Sequence, residues 1–530
     1  MTDLAGAVLA TADEHPDLIA LTAGGDDLTY RALGEAIRAS AHGLLALGLK
    51  RGDRVLFSVR PGRDAVVLAL AIIAAGGVVV FADPGAGAPL FEARSRLATP
   101  RFVAAESLLY AASTPLLRPV ARRRGLELAD YRRLVPGAQF LRSGRWLPGV
   151  PRGAVAIKDL PARGADRGDD LPEARERDEA LVIFTSGTTA VPKGVVHGRL
   201  SLGAGLSDFA AGVGLRPGQR VLTDQLMVGV PALIAGAHWT IPAAGLDPAA
   251  RPAAYLDALP QAQVLFAVPA AMDALLRELA ASPRDLPELE TIILGGAPVL
   301  RPLLARIHER FPHAAIRGVY GMTEILPVAI SDGVAKLHAP VTAGDHVGRI
   351  MPSVRARIVD GELVLAGAGL ARGYLADLPE HPLAELRTGD LAEIVSGSDG
   401  EELVLHGRLK EMFIRGTQNV YPGLYEPVMA GIPGVADVAM VGLPDEIGDD
   451  AIAVVVVPKE DPPAELSADH PLVERVRRAL PGLIDAGSLP DVVLAAPSLP
   501  TSGRSSKLDR AVLTALVQAW QVRGGQGDQP

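Results

Sequence analysis

The sequence predicts an α/β protein: a large N-terminal domain of layered α/β subdomains with a β-rich subdomain, followed by a small α+β C-terminal domain. Three observations predict it. Helix-like apolar stretches alternate with short strands in the first part of the chain, an order that makes parallel sheets. From about Val341 the texture changes to short alternating strands and turns. Beyond His406-Gly407-Arg408, the last ~120 residues are long enough for a small separate domain. At 530 residues the chain exceeds one ordinary core, and the expected domains are 1–406 and 407–530.

Composition narrows the function classes. Hydrophobic residues make up 48% and charged residues 21%, a globular rather than a disordered balance. Aromatics reach only 4%, so the core must be built from Ala, Val and Leu. A net charge of −9 argues against nucleic acid as a partner, since phosphate backbones want a basic face. With no cysteine, disulfides, a thiol nucleophile and cysteine–metal sites are excluded, which fits a cytoplasmic protein. Met1-Thr2-Asp3-Leu4 shows no basic region followed by an apolar segment, so no signal peptide is expected.

In chain order, Thr29 in Leu28-Thr29-Tyr30 is placed as the N-cap of a helix reaching toward Leu47, and Gly48 to Val55 turns into a strand. Ala65 to Ala82 is as long as a membrane span. Gly76-Gly77 and the following Val78-Val79-Val80-Phe81 make it a buried helix, a turn and a buried strand, and no transmembrane segment is expected. Arg118 to Arg124 is a solvated basic face, and the charged stretch Pro161 to Asp178 is a surface loop. Strands are expected at Leu181–Phe184, Val264–Pro269, Thr291–Leu294 and Ala451–Val457, a hairpin at Val354–Leu365, and a helix at Pro471–Leu480. The polar tail from Gly524 is expected to fray.

The strand Leu181–Phe184 runs into Thr185-Ser186-Gly187-Thr188-Thr189-Ala190-Val191-Pro192-Lys193-Gly194. Glycines, hydroxyl donors and a lysine in one turn suit the phosphates of a nucleotide. The string is neither a Walker A loop, whose lysine stands between Gly and Ser/Thr, nor a nucleophile elbow, since Phe184 replaces the required glycine. His308-Glu309-Arg310-Phe311-Pro312-His313 is one residue too long for a zinc motif, and Pro312 would break its helix. His197 and His238 read as ordinary pocket or surface histidines.

The loop resembles the phosphate loop T-S-G-T-T-G-x-P-K-G of the adenylate-forming superfamily of acyl-CoA synthetases, adenylation domains and luciferases, with Ala190 in place of a glycine. Further phrases match in the same order. Gly318-Val319-Tyr320-Gly321-Met322-Thr323-Glu324 is similar to Y-G-x-T-E, Leu294-Gly295-Gly296-Ala297-Pro298 to G-G-A-P, and Arg387-Thr388-Gly389-Asp390 to R-T-G-D. The stretch Gly407-Arg408-Leu409-Lys410-Glu411 to Pro422 resembles the hinge motif, with Leu424 where a glutamate is usual. Leu499 to Arg510 resembles the C-terminal lysine motif.

That resemblance implies roles. Thr185, Ser186, Gly187, Thr188, Thr189 and Lys193 would cradle phosphates. Gly295, Gly296 and Ala297 would form the adenine and acyl wall, and Tyr320 would stack on adenine. Thr323 would meet the α-phosphate, Glu324 would bind Mg²⁺, and Asp390 and Arg408 would hold the ribose and phosphate. Lys410 would be the hinge of a mobile C-terminal domain, Gly416 would mark the acceptor's entry, and Lys507 would clamp the carboxylate and α-phosphate. Met227, Val228, Gly229, Gly318, Gly321 and Met322 would line the acid pocket, whose apolar, aromatic-poor surroundings favour an aliphatic acid.

The implied reaction is ATP-dependent activation of a carboxylic acid to an acyl-adenylate, with pyrophosphate release, then transfer to the thiol of coenzyme A or a carrier protein. Other readings stay open. The Val80 to Gly85 phrase, the long 100–180 segment and Glu324 to Ala329 are similar to the β-lactone synthetases of olefin biosynthesis, which close a β-hydroxy acid onto its own hydroxyl. Amino-acid activation would use a buried Asp224 to hold the ammonium group. A silent acyl-adenylate binder is opposed by the retention of Lys507, Glu324 and Asp390.

Overall fold

A computed structural model describes residues 3–123, 127–165, 170–184, 193–339, 344–397, 400–415, 418–444, 450–484, 488–502 and 507–523. Three sheets organise them. The largest, thirteen strands among the described residues, has a parallel centre in which Thr291–Gly295 lies between Val264–Ala267 and Ala315–Met322. Beyond Ala315–Met322 it turns antiparallel through Ile325–Asp332, Asp345–Ile350, Gly400–Arg408, Leu386–Gly397, Glu362–Ala366 and Arg355–Val359. The change from alternating α/β to hairpin texture therefore begins at Ile325, ahead of the Val341 expected from the sequence.

The second sheet has eight strands among the described residues; in it Val78–Phe81 lies parallel to both Arg54–Ser58 and Glu179–Phe184. The helices Leu4–Glu14, Tyr30–Ala46, Arg63–Ala74 and Arg199–Val213 contribute to one core that also takes Leu21 and Trp239 from the large sheet and Val55 and Val79 from the second. A helix between two sheets must be apolar all round. Arg63–Ala74 buries nine consecutive or near-consecutive apolar residues from Ala65 to Ala74, which explains the membrane-like stretch as core. No described helix is long and apolar enough to cross a membrane.

Local chemistry sets the helix starts. Thr29 caps Tyr30–Ala46, its hydroxyl accepting from the Ala32 N–H at 3.3 Å; such a cap is worth about 1 kcal/mol. Asp3 caps Leu4–Glu14 and also takes both Nε and a terminal nitrogen of the buried Arg199 at 2.9 and 2.6 Å. That fork fixes the start of the Arg199–Val213 helix, which leads out of the site.

Two expectations are corrected. Leu160–Arg163 is a helical turn rather than loop, and Asp178, at the end of the charged stretch, is buried and bonded to Arg51. A carboxylate with so close a cation can stay inside. The other expected strands, the Val354–Leu365 hairpin and the 471–480 helix stand within two residues of their predicted ends. The C-terminal part packs Val435–Pro444, Asp450–Pro458 and Val492–Ala495 with the helices Pro422–Met429, Pro471–Ala479 and Arg510–Val522 around its own cores.

Candidate active site

The site sits at the carboxyl ends of Thr291–Gly295 and Ala315–Met322, where open α/β sheets place their ligands. Gly295 lies beside Val319 in register, so Gly295, Gly296 and Ala297 leave the sheet next to Tyr320. The strands Ala315–Met322 and Ile325–Asp332 form a hairpin whose two-residue connection is Thr323-Glu324. Its register shifts between Tyr320 and Met322, at Gly321. A Cβ on Gly321 would stand 2.4 Å from Leu326 Cδ1 and 3.2 Å from the Ile325 carbonyl, so a side chain here would have to displace Leu326. Bulges re-aim side chains beside active sites; this one delivers Tyr320, Thr323 and Glu324 together.

His197 supports the hairpin tip. Its Nε2 lies 2.7 Å from the Thr323 carbonyl, so that nitrogen carries the proton, and burial lowers its pKa against the opposing pull of the carbonyl and Glu324. A neutral, buried histidine tethered to a backbone oxygen is a brace rather than a catalytic base. His238, by contrast, pairs with the Thr22 hydroxyl at 2.6 Å, on the far edge of the large sheet.

Asp390 joins three distant phrases. Only 3% exposed, it accepts from the Tyr320 hydroxyl at 2.6 Å on one oxygen and from Arg408 Nε at 2.7 Å on the other. Burial and the carboxylate push the Tyr320 pKa far above its usual range, so the phenol remains a donor. Burial opposes the Arg408 charge, but Asp390 and Glu411 outweigh it and hold the guanidinium firmly protonated. A carboxylate has about four lone-pair positions, so Asp390 keeps acceptor capacity for two further hydroxyls.

The turn carrying Asp390 is held by Glu362, which sequence reasoning missed. Its buried carboxylate accepts from Arg387 Nε at 2.7 Å and from the Gly389 N–H at 2.9 Å. The Thr388 hydroxyl donates to the Leu363 carbonyl at 2.8 Å and accepts from the Asp390 N–H at 3.0 Å. The available signal was a charged residue opening the apolar run Leu363-Val364-Leu365, opposite the R-T-G-D phrase.

On the other side of the hairpin tip, Glu324 Oε1 accepts from the Tyr374 hydroxyl at 2.9 Å, and Lys193 Nζ lies 5.7 Å from the centre of the same ring. Tyr374 was also missed; a lone Gly-Tyr pair has no periodic or motif signal. Thr185 to Thr189, with Ala190, lie outside the described residues, as does Gly416. Among the described residues no group of three or more histidines and carboxylates is arranged to hold a metal. Glu324 alone, with one oxygen engaged by a neutral hydroxyl, fits Mg²⁺, which keeps its waters and takes one or two carboxylates plus substrate phosphates.

The C-terminal part brings its own cation. Lys507 lies in the short strand Lys507–Leu508, paired with Thr501–Ser502. Crowding by protein, then the positive charges of Arg408 and Lys410, lower its pKa, against the attraction of Asp390 and Glu411. Lys507 therefore stands in the electrostatic field of the Asp390 corner. Lys410 is in the one-turn helix Leu409–Glu411 that follows Arg408. Arg510 ties this turn to the C-terminal body: it donates to Glu411 at 3.2 Å, to both oxygens of Glu426 at 2.7 and 2.8 Å, and to the Met440 carbonyl at 2.9 Å.

The expected acid-pocket residues separate. Met227 lines an apolar cleft with Leu70, Ile73, Leu181, Leu202 and Val230. Val228 and Gly229, on the same Leu226–Ile234 helix, face away from it: Val228 is core, and a Cβ on Gly229 would stand 2.0 Å from the Trp239 indole. Successive helical residues point about 100° apart, so three in a row could not all line one pocket. Trp239 is fully buried and donates its indole N–H to the Thr223 carbonyl at 2.8 Å. Gly318 lies in the hairpin, its carbonyl accepting from Ser331 Oγ at 3.3 Å, and Met322 packs on the main core. Asp224 is exposed and accepts from Gln225, not the buried carboxylate that amino-acid activation requires.

Comparison with known proteins matches this geometry to a family. A family model described as AMP-binding enzyme matches residues 8–375, and one described as the AMP-binding enzyme C-terminal domain matches residues 425–506. A feruloyl-CoA synthase of an Amycolatopsis species is 30% identical over 92% of this chain and 94% of its own. A long-chain-fatty-acid–CoA ligase of Mycobacterium tuberculosis is 27% identical over 83% of this chain and 84% of its own. Among solved structures, the amide bond synthetase McbA from Marinactinospora thermotolerans is 24% identical, with 97% of this chain and 99% of that one covered at a TM-score of 0.73, a likeness of fold.

Proposed function

Because the chain belongs to the AMP-binding enzyme family, we propose that it activates a carboxylic acid with ATP and passes the acyl group to a thiol, coenzyme A being the acceptor. The acid's carboxylate attacks the α-phosphorus in line; a P–O bond to the acid forms, the bond to the bridging oxygen breaks, and pyrophosphate leaves. In the second half-reaction the thiol attacks the acyl carbon, AMP leaves, and the thiol proton passes to solvent. The single observation that carries this reading is the convergence of Tyr320, Asp390 and Arg408 on one corner from three separate stretches of chain.

The residues take the following parts. Asp390 receives the ribose hydroxyls on its free acceptor positions, with Arg408 beside them. Tyr320, Gly295, Gly296 and Ala297 bound the adenine, and Thr323 donates to the α-phosphate. Lys193 and the residues Thr185 to Thr189 receive the outer phosphates, and Glu324 holds Mg²⁺. The metal, when bound, neutralises phosphate charge. Lys507 stabilises the charge that develops on the α-phosphate oxygens and the attacking carboxylate, a transition-state contribution. The domains divide at 406/407, Lys410 is the pivot on which the C-terminal domain exchanges Lys507 for the acceptor's entry near Gly416, and the enzyme works in the cytoplasm.

The acid is aliphatic. Support comes from the cleft: its lining is apolar throughout, and aliphatic save the ring of Phe81 and the thioether of Met227. It borders Leu181, on the strand that enters the phosphate loop, and Leu202, on the helix that leaves the His197 brace. A tail held there needs no hydrogen-bonding partner.

The test is ATP–pyrophosphate exchange across fatty, β-hydroxy, aromatic and amino acids, with product mass spectrometry with and without coenzyme A. Exchange with fatty acids, and acyl-CoA only when the thiol is supplied, is the expected result. Exchange confined to aromatic acids would overturn the aliphatic assignment, and a lactone from β-hydroxy acids without thiol would overturn the acceptor. No exchange with any acid would overturn the reaction itself.

A further inference from the structure

We propose that Tyr374 is a positioning residue for the triphosphate and its metal, holding Lys193 and Glu324 apart and each aimed at its ligand; the proposal rests on the adenylation reading above. The segment around Tyr374 is stitched to both partners through the backbone. Gly373–Tyr374 pairs antiparallel with Gly194–Gly198, the strand that begins immediately after Lys193. The Leu375 N–H donates to the Gly194 carbonyl at 2.7 Å, and the Ala371 N–H donates to the Glu324 carbonyl at 2.8 Å. Three turns of chain with no sequence proximity are thereby fixed relative to one another.

The side chain then separates the charges. Its hydroxyl donates to Glu324 Oε1 at 2.9 Å and its ring lies 5.7 Å from Lys193 Nζ. With a small or aliphatic residue there, the ammonium and the carboxylate would be drawn to each other, and phosphate and metal would have to break that pair on entry. A phenol offers each a neutral partner instead: a hydrogen bond for the carboxylate, a ring face for the ammonium. Both interactions are weaker than those to a phosphate or a divalent cation, so ligands displace or share them readily.

The experiment uses the full chain without acid, so that ATP is bound and not consumed. Calorimetric titration with ATP at fixed Mg²⁺, and Mn²⁺ binding followed by electron paramagnetic resonance in the presence of ATP, are compared for wild type, Tyr374→Phe and Tyr374→Leu. Tyr374→Phe keeps the ring and loses the hydrogen bond. Its metal half-saturation is expected to rise about three- to tenfold, the scale of one hydrogen bond, with ATP affinity at saturating metal unchanged. Tyr374→Leu is expected to weaken ATP binding further, about two- to fivefold, as the ring–ammonium contact is lost.

In a Glu324→Gln background the Phe substitution is expected to have no further effect on metal binding, because the two residues then act as one unit. A Phe variant whose metal titration overlays wild type overturns the proposal, as does an undiminished Phe effect in the Glu324→Gln background. Thermal unfolding of the Phe variant is expected to match wild type. A wild-type chain that binds no MgATP fails the adenylation reading itself, a result separable from any difference among the variants.

Discussion

In the proposed function, two regions of this molecule meet the same substrate complex with opposite materials. The nucleotide corner is polar and cross-braced: Tyr320 and Arg408 both donate to Asp390, and Glu362 fixes the turn beneath it. The acid cleft has no polar contact and is walled by side chains from the Leu4–Glu14, Arg63–Ala74, Arg199–Val213 and Leu226–Ile234 helices. Ribose and phosphate are invariant partners, and directional bonds between charged groups fix them with little freedom. A hydrocarbon tail is recognised by volume, which depends on every wall at once. Chemistry common to a family can therefore be held by a few named residues, while the choice of acid is distributed over many.

That contrast can be broken or sharpened in four steps of decreasing size. Lys507→Ala is expected to lower the rate of acyl-adenylate formation about 100- to 1,000-fold, the scale of removing one transition-state charge stabiliser. The loss should be equal for every acid tried and should leave the fold intact, which pyrophosphate exchange and circular dichroism check. A loss that varied with chain length would tie the two regions together. Asp390→Asn removes the charge between Tyr320 and Arg408 and is expected to weaken ATP binding about 10- to 100-fold, the scale of one to two charged hydrogen bonds, measured by calorimetry.

In the cleft, Ala69→Met fills space beside Leu70 and Ile73. It is expected to lower kcat/KM for a long acid about tenfold relative to one shorter by two or three carbons, with ATP affinity unchanged. Equal losses for both acids would show that the tail does not lie there. The smallest effect is on pH. Lys507 acts protonated and its pKa is lowered, so kcat/KM for ATP is expected to fall as pH rises through a value below that of an ordinary lysine. In Lys507→Arg, whose charge persists, the activity that remains should show no such alkaline fall.

The same contrast explains what was legible in the sequence. Tyr320, Glu324, Asp390, Arg408 and Lys507 were legible because a few atoms in fixed order perform each task, and the order survives in short phrases. Glu362 and Tyr374 were not, since they act on the site through a turn or a neighbouring charge; Glu362 offered only a charge at the start of an apolar run, and Tyr374 no pattern. The expected pocket stretch did not disclose its faces: which of Met227, Val228 and Gly229 meets the cleft is decided by helical rotation over Trp239. The fold was the most legible part, because the helix–strand alternation and the later hairpins are periodic signals. Asp178 escaped because a charge-rich stretch does not disclose that one of its carboxylates meets Arg51 inside the protein.

The indole beneath the Leu226–Ile234 helix gives the molecule a built-in optical probe. Of three tryptophans, Trp239 alone is fully enclosed, whereas Trp146 is 57% exposed and Trp520 lies half-exposed on the C-terminal helix. Its emission should sit at the blue end of the spectrum and survive aqueous quenchers that extinguish Trp146. Because a wall of the cleft rests on that ring, the proposed seating of a tail there predicts a change in Trp239 emission on adding the acid, occupancy read as light from the unlabelled protein.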